Sequence, residues 1–117
     1  MSITQYGSAS FRTRLLEPRF AIVAVDGEVD FTNVKDLIGA ATHVARDRSG
    51  VVIDLSGVEF FGTAGFAALH ALSVRYAARK TQWAVVPSRN VQRVVQICDT
   101  DAFVPMRATL ASALASL

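Results

Sequence analysis

The chain has 117 residues, 51% of them hydrophobic, with 12 basic and 10 acidic side chains for a formal net charge of +2. That length supports one compact core and leaves no room for a second, so residues 1–117 are read as a single domain. So small a charge gives no basis for direct nucleic-acid binding, no apolar run approaches the ~20 residues of a membrane span, and the single cysteine, Cys98, cannot form an internal disulfide; the expectation is a soluble, cytoplasmic protein.

Phe20 to Val25 is a continuous β-rich run closed by Asp26-Gly27, and Phe11 to Leu16 precedes it across Glu17-Pro18-Arg19, which predicts a hairpin. The apolar period then changes. Val34, Leu37, Ile38, Ala41 and Val44 follow helical spacing, with Asn33 as N-cap and the helix ending near Asp47. Val51, Val52, Ile53 and Leu55 are apolar on both faces, as expected of a strand in the middle of a helix-covered sheet, ending at Asp54 before a tight turn. From Ala64 to about Lys80, Phe66, Leu69, Leu72, Ser73 and Tyr76 share one side of a helical wheel, and Ala67, Ala71, Val74 and Ala78 line much of the other. Trp83 to Val86 reads as a strand stopped by Pro87. A third helix follows, with Val91, Val94, Val95 and Cys98 on its apolar stripe. A short strand around Phe103 to Pro105 and a last helix carrying Leu110, Ala113, Leu114 and Leu117 complete the order β-β-α-β-α-β-α-β-α, a mixed sheet whose parallel crossovers are right-handed.

Catalytic constellations are missing from this pattern. His43 and His70 are isolated and read as helix-surface residues, no metal-ligand spacing occurs, and there is neither a phosphate loop nor a nucleophile elbow, so the chain is read as a non-enzyme without cofactor or metal. Cys98 on its stripe is a buried thiol or, as the alternative, a redox-regulated one. Charge is unevenly placed: Asp26, Glu28, Asp30 and Asp36 crowd one segment, whereas Arg75, Arg79, Lys80, Arg89 and Arg93 fall in a stretch free of carboxylates. This is either a solvated face or a surface for an acidic protein.

The strand Val51 to Phe61, the Gly62-Thr63-Ala64-Gly65 turn that follows it, the acidic Gly27-Glu28-Val29-Asp30 segment, the third helix and the Thr109 to Leu114 ending together resemble the STAS domain of bacterial anti-sigma factor antagonists, also found on sulfate transporters. The resemblance implies an α/β fold, a mixed sheet of about five strands with about four helices. It also implies an anti-anti-sigma function: the chain binds an anti-sigma factor of the kinase type and thereby releases a sigma factor for transcription, as a monomer or weak homodimer and without contacting nucleic acid or membrane. In that family the turn is typically Asp-Ser-Ser-Gly, with the second serine phosphorylated. Here Gly62 stands for the Asp, Thr63 for the first Ser, Ala64 for the phosphorylated Ser, and Gly65 matches.

The usual acceptor is therefore absent, and the implied state is permanently competent to bind. Thr63 remains as a hydroxyl one residue early, readable as a helix N-cap, as a phospho-acceptor, or as both. The alternative function is a STAS signalling module in a larger sensory assembly, phosphorylated at Thr63 or redox-regulated through Cys98. Asp30 is read either as a turn carboxylate or, by the resemblance, as a partner contact close to the turn. Asp54 is read as a structural hydrogen-bond acceptor. The expected partner-binding set is Asp30, Thr63, Ala64, Ala67, Ala71 and Arg75, with the small apolar strip of the second helix as either a helix-favouring surface or a docking face with an arginine rim.

Overall fold

The computed structural model describes residues 2–117. Five strands, β1 (Ser2–Tyr6), β2 (Ala9–Leu16), β3 (Phe20–Val29), β4 (Gly50–Phe61) and β5 (Gln82–Pro87), lie in the spatial order β1-β2-β3-β4-β5. The first three pair antiparallel, and β3-β4 and β4-β5 pair parallel. Four helices, α1 (Val34–Val44), α2 (Thr63–Arg79), α3 (Arg89–Cys98) and α4 (Leu110–Ala115), complete the element order β-β-β-α-β-α-β-α-α.

Alternation along the strands divides the core in two. Ala21, Val23, Val25 and Val29 of β3, with Val51, Ile53 and Leu55 of β4, form the larger cluster with Leu37 and Ala41 of α1 and Leu69, Leu72 and Tyr76 of α2. The other face of β3, β4 and β5 presents Ile22, Val52, Ala84 and Val86 to Ala113 of α4 and to Leu110, Leu114 and Leu117. Strands buried on both faces read as unbroken apolar runs, which is why β3 and β4 stood out in the sequence.

The predicted hairpin is β2-β3, and the sheet was expected to centre on the strand after α1. Instead β3 is central and β4 lies one place from the β5 edge. β4 also does not end at Asp54. Its 12 residues run against the 10 of β3 with register shifts opposite Ala24 to Asp26 and Gly27 to Glu28. The extra residues break the alternation around Ser56-Gly57 and imitate a turn. There Asp54 acts as the expected acceptor, its carboxylate receiving the Ser56 amide at 3.0 Å and hydroxyl at 2.7 Å.

Four further expectations need correcting. β1 was not foreseen, since Ser-Ile-Thr-Gln-Tyr has little apolar content. α1 stops at Val44 rather than near Asp47, which takes a left-handed φ of 62°. No strand forms at Phe103 to Pro105; the segment makes an isolated bridge between Val85 and Met106, with the Val85 amide donating to Pro105 O and the Arg107 amide to Val85 O. Cys98 is half-buried rather than buried: it is the last residue of α3, past Val91 and Val95, the residues that the helix buries.

The helix layer is pinned by one buried phenol. Tyr76 donates a 2.8 Å hydrogen bond to Ala41 O across the α1-α2 contact and meets Trp83 of β5 edge-on at 5.4 Å. Burial pushes its pKa above the ordinary tyrosine value, so the neutral phenol supports the fold below about pH 10 and loses that contribution as pH climbs beyond it. Tyr76→Phe keeps the packing and removes the bond; a loss of about 1 kcal/mol in urea-denaturation stability is expected.

Candidate functional site

β3 and β4 run parallel, so their carboxyl ends open at the same edge, the place where α/β sheets commonly present a binding crevice. Val29 is in register with Phe61. The next residues, Asp30 and Gly62, therefore leave the sheet side by side, and the acidic segment and the Gly62 to Gly65 turn form one surface.

Asp30 is held by its own loop. Its carboxylate accepts the Thr32 amide at 2.9 Å and the Thr32 hydroxyl, and these bonds hold its pKa below the usual carboxylate range. Behind it, Asn33 is buried, 1% exposed. Asn33 was expected to cap α1 with its side chain; it occupies the N-cap position but makes no such bond. Its amide nitrogen donates instead to Tyr6 O at 3.2 Å and Glu28 O at 2.9 Å, and its oxygen accepts the Asp30 amide at 3.1 Å. Gly27, at φ 102°, lies where a Cβ would strike Ser8 O, and the close approach lets the Glu28 amide donate to that carbonyl at 3.0 Å.

The turn is supported from below. The N-cap of α2 is Gly62, not Thr63, and it carries no side-chain cap; Thr63 is already the first helical residue and is exposed. Thr63 therefore stands one place inside the helix, past the position from which a side chain caps the first-turn amides, which corrects the capping role expected for it. Ala64 is half-buried. Gly65 is buried, and a Cβ there would fall 2.7 Å from Cδ1 and Cζ of Phe61. Phe61 itself is buried and cannot retreat.

The expected partner set is only partly gathered. Asp30, Thr63 and Ala64 share one surface, and Ala67 is exposed one turn along α2. Ala71 is half-buried, and Arg75 donates to the Thr42 hydroxyl of α1 at 3.3 Å. Arg75 lies about 18 Å along the helix axis from Thr63 at 1.5 Å per residue. It stands at the α1-α2 crossing, away from the turn and beside the α2 strip.

Two residues that sequence reasoning passed over stand beside the turn. Phe31 follows Asp30 and is 81% exposed; Phe60 precedes the turn, is 52% exposed, and has its ring 3.6 Å from the position a Gly62 Cβ would take. Phe60 stands one residue before the buried Phe61, in the opposite phase of β4, and Phe31 lies two residues past Val29 in the loop beside Asp30; a large aromatic out of phase with a buried strand, or just beyond its end, is the signal that would have found them.

No group of three or more His, Cys, Asp and Glu among the described residues is placed to hold a metal ion. His43 and His70 are both exposed, and His70 stacks edge-on against Phe103 at 5.4 Å. No helix among the described residues is long and apolar enough to cross a membrane.

An open two-strand edge, a braced acidic loop and an uncapped helix start thus stand together at one end of the sheet. The chain matches the STAS domain over residues 15–113 and belongs to that family. It is 32% identical over 119 residues to Osmosensory protein A of Mycobacterium tuberculosis, covering 96% of this chain and 73% of that relative. Its fold is similar to that of an anti-sigma factor antagonist from Mycobacterium paratuberculosis, with a TM-score of 0.82, 29% identity and 93% of each chain covered. The anti-sigma factor antagonist SpoIIAA in its unphosphorylated form shares the fold at a TM-score of 0.74 and 15% identity, covering 91% of this chain and 94% of that one.

The Phe61-Gly65 contact gives a direct test of how the turn is held. Helix propensity alone favours alanine over glycine by about 1 kcal/mol, but forcing a methyl against a pinned ring costs about 1–3 kcal/mol. Gly65→Ala is expected to lower thermal and urea stability by a net of up to about 2 kcal/mol.

Proposed function

We propose that this protein is an anti-sigma factor antagonist that acts by binding alone: it captures a kinase-type anti-sigma factor in the cytoplasm and so frees a sigma factor. The observation that carries the reading is the side-by-side exit of Asp30 and Gly62 to Gly65 from the sheet, with Ala64 in the place of the family's phosphorylated serine. A phosphate at a helix start is compatible with the fold, because free N–H groups and the helix dipole favour negative charge there. Its roughly two negative charges oppose a partner seated on the same turn. With alanine in that position the switch is removed and the docking surface is left in its binding state.

Ala64→Glu restores negative charge at the same place. Titration against the cognate anti-sigma factor, obtained by co-purification from the host, is expected to show binding weakened tenfold or more, about 1.4 kcal/mol, with a melting temperature near wild type. Unchanged affinity would sink the docking-face assignment.

A second reading rests on the exposure of Thr63 at the first turn of α2. In it the chain is a STAS module of a larger sensory assembly and Thr63 receives phosphate. Incubation with host kinase fractions and ATP, followed by intact-mass measurement of wild type and Thr63→Val, separates the two. A phosphate gain confined to wild type supports the second reading, and no gain leaves the constitutive one.

A further inference from the structure

The two edges of the sheet are treated differently. At β5 the chain returns on itself: the Val85 amide donates to Pro105 O, the Arg107 amide donates to Val85 O, and Met106 bridges to it, so that edge is blocked near its middle. At β1 no strand lies on the outer side among the described residues. Proteins usually blunt such an edge with charge, proline or a bulge. β1 has none of these: Ser-Ile-Thr-Gln-Tyr is uncharged and proline-free, pairs with β2 without a register shift, and leaves Ile3 65% exposed.

The register states which groups are free. Tyr6 pairs with Ala9 across the two-residue Gly7-Ser8 turn, so this closing pair is hydrogen-bonded, and by alternation so are Thr4 with Phe11 and Ser2 with Thr13. The amides and carbonyls of Ile3 and Gln5 therefore point away from β2, to the open side.

We propose that β1 is a self-association edge, pairing antiparallel with β1 of a second copy about a two-fold axis through Thr4. In that register Ile3 of each copy exchanges main-chain hydrogen bonds with Gln5 of the other, and Thr4 faces Thr4 as a non-hydrogen-bonded pair. The two sheets become one. A second copy fits better than another protein because the strand is two-fold self-complementary and uncharged, so nothing repels its own image and nothing on it selects an opposite charge. The pairing also brings the two Ile3 side chains onto one face at diagonal neighbour distance, covering surface that each monomer exposes. Five residues bury little area beside the roughly 1,200 Å² of stable complexes, so the dimer is weak and appears only with rising concentration. The Asp30 and Gly62 to Gly65 surface lies at the ends of β3 and β4 and stays open in both copies.

Sedimentation equilibrium of the full chain across a wide concentration range reads the proposal. Wild type is expected to shift from monomer toward dimer as concentration rises. Ile3→Pro removes an outward N–H that the β1-β2 ladder does not use, and is expected to sediment as monomer throughout while keeping the wild-type melting temperature at low concentration. Should Ile3→Pro melt early, Thr4→Lys decides instead, since it sets like charges opposite one another only in the dimer. A wild type that stays monomeric at all concentrations overturns the proposal, as does a dimer that survives both substitutions, which would place the contact on another face.

Discussion

The arrangement of this molecule around its binding edge depends on one buried side-chain amide. Asn33 reaches the last carbonyl of β1, a carbonyl near the end of β3 and the amide of Asp30, so a single residue fixes an edge strand, the central strand and the acidic loop in one relationship. Its bonds are made inside the fold at 1% exposure, where an unmade one would carry a desolvation cost of ~1–3 kcal/mol. No buried side-chain nitrogen or oxygen among the described residues lacks a partner, and Asn33 is the clearest case of why that matters. Replace it with an apolar residue and the Asp30 loop loses the anchor that sets it beside Gly62.

Preorganisation is the common theme of the two halves of that surface. Asp30 is fastened by Thr32 before any partner arrives, and the turn is fastened by Phe61 beneath Gly65. In the proposed reading, a partner would meet groups already in place and would not supply the ordering cost of a loose loop. Phe31 and Phe60, which remain in water on either side, add apolar area where a docked protein would cover them.

Much of this was legible before the structure. The helical period of α1, α2 and α3 and the unbroken runs of β3 and β4 are strong signals because their burial is one-sided in the first case and two-sided in the second. The Gly62 to Gly65 turn is contiguous and could be read directly. What stayed hidden depends on long-range pairing. β1 is a polar five-residue strand that exists because β2 offers it a ladder. The bulges in β4 disguised its length. The Phe103 segment looked like a strand but adds only a bridge, since its neighbours turn around the Asp99 carboxylate, which takes the Phe103 and Val104 amides. Asn33 appeared to be an ordinary cap because its true acceptors lie 27 and 5 residues away. The bond from Arg75 to Thr42 was likewise out of reach, because it joins residues 33 apart on two helices.

The closure of β5 by the 103–107 segment has a consequence for how large any assembly can grow. A sheet with two adhesive edges adds chain after chain and becomes a filament; a sheet with one pairs once, by a two-fold rotation, and has no edge left. By folding its own backbone over Val85, the chain withholds the second adhesive edge. In the proposed pairing, growth through β5 would have to displace the Val85 bridge, so association through the open side would end at two.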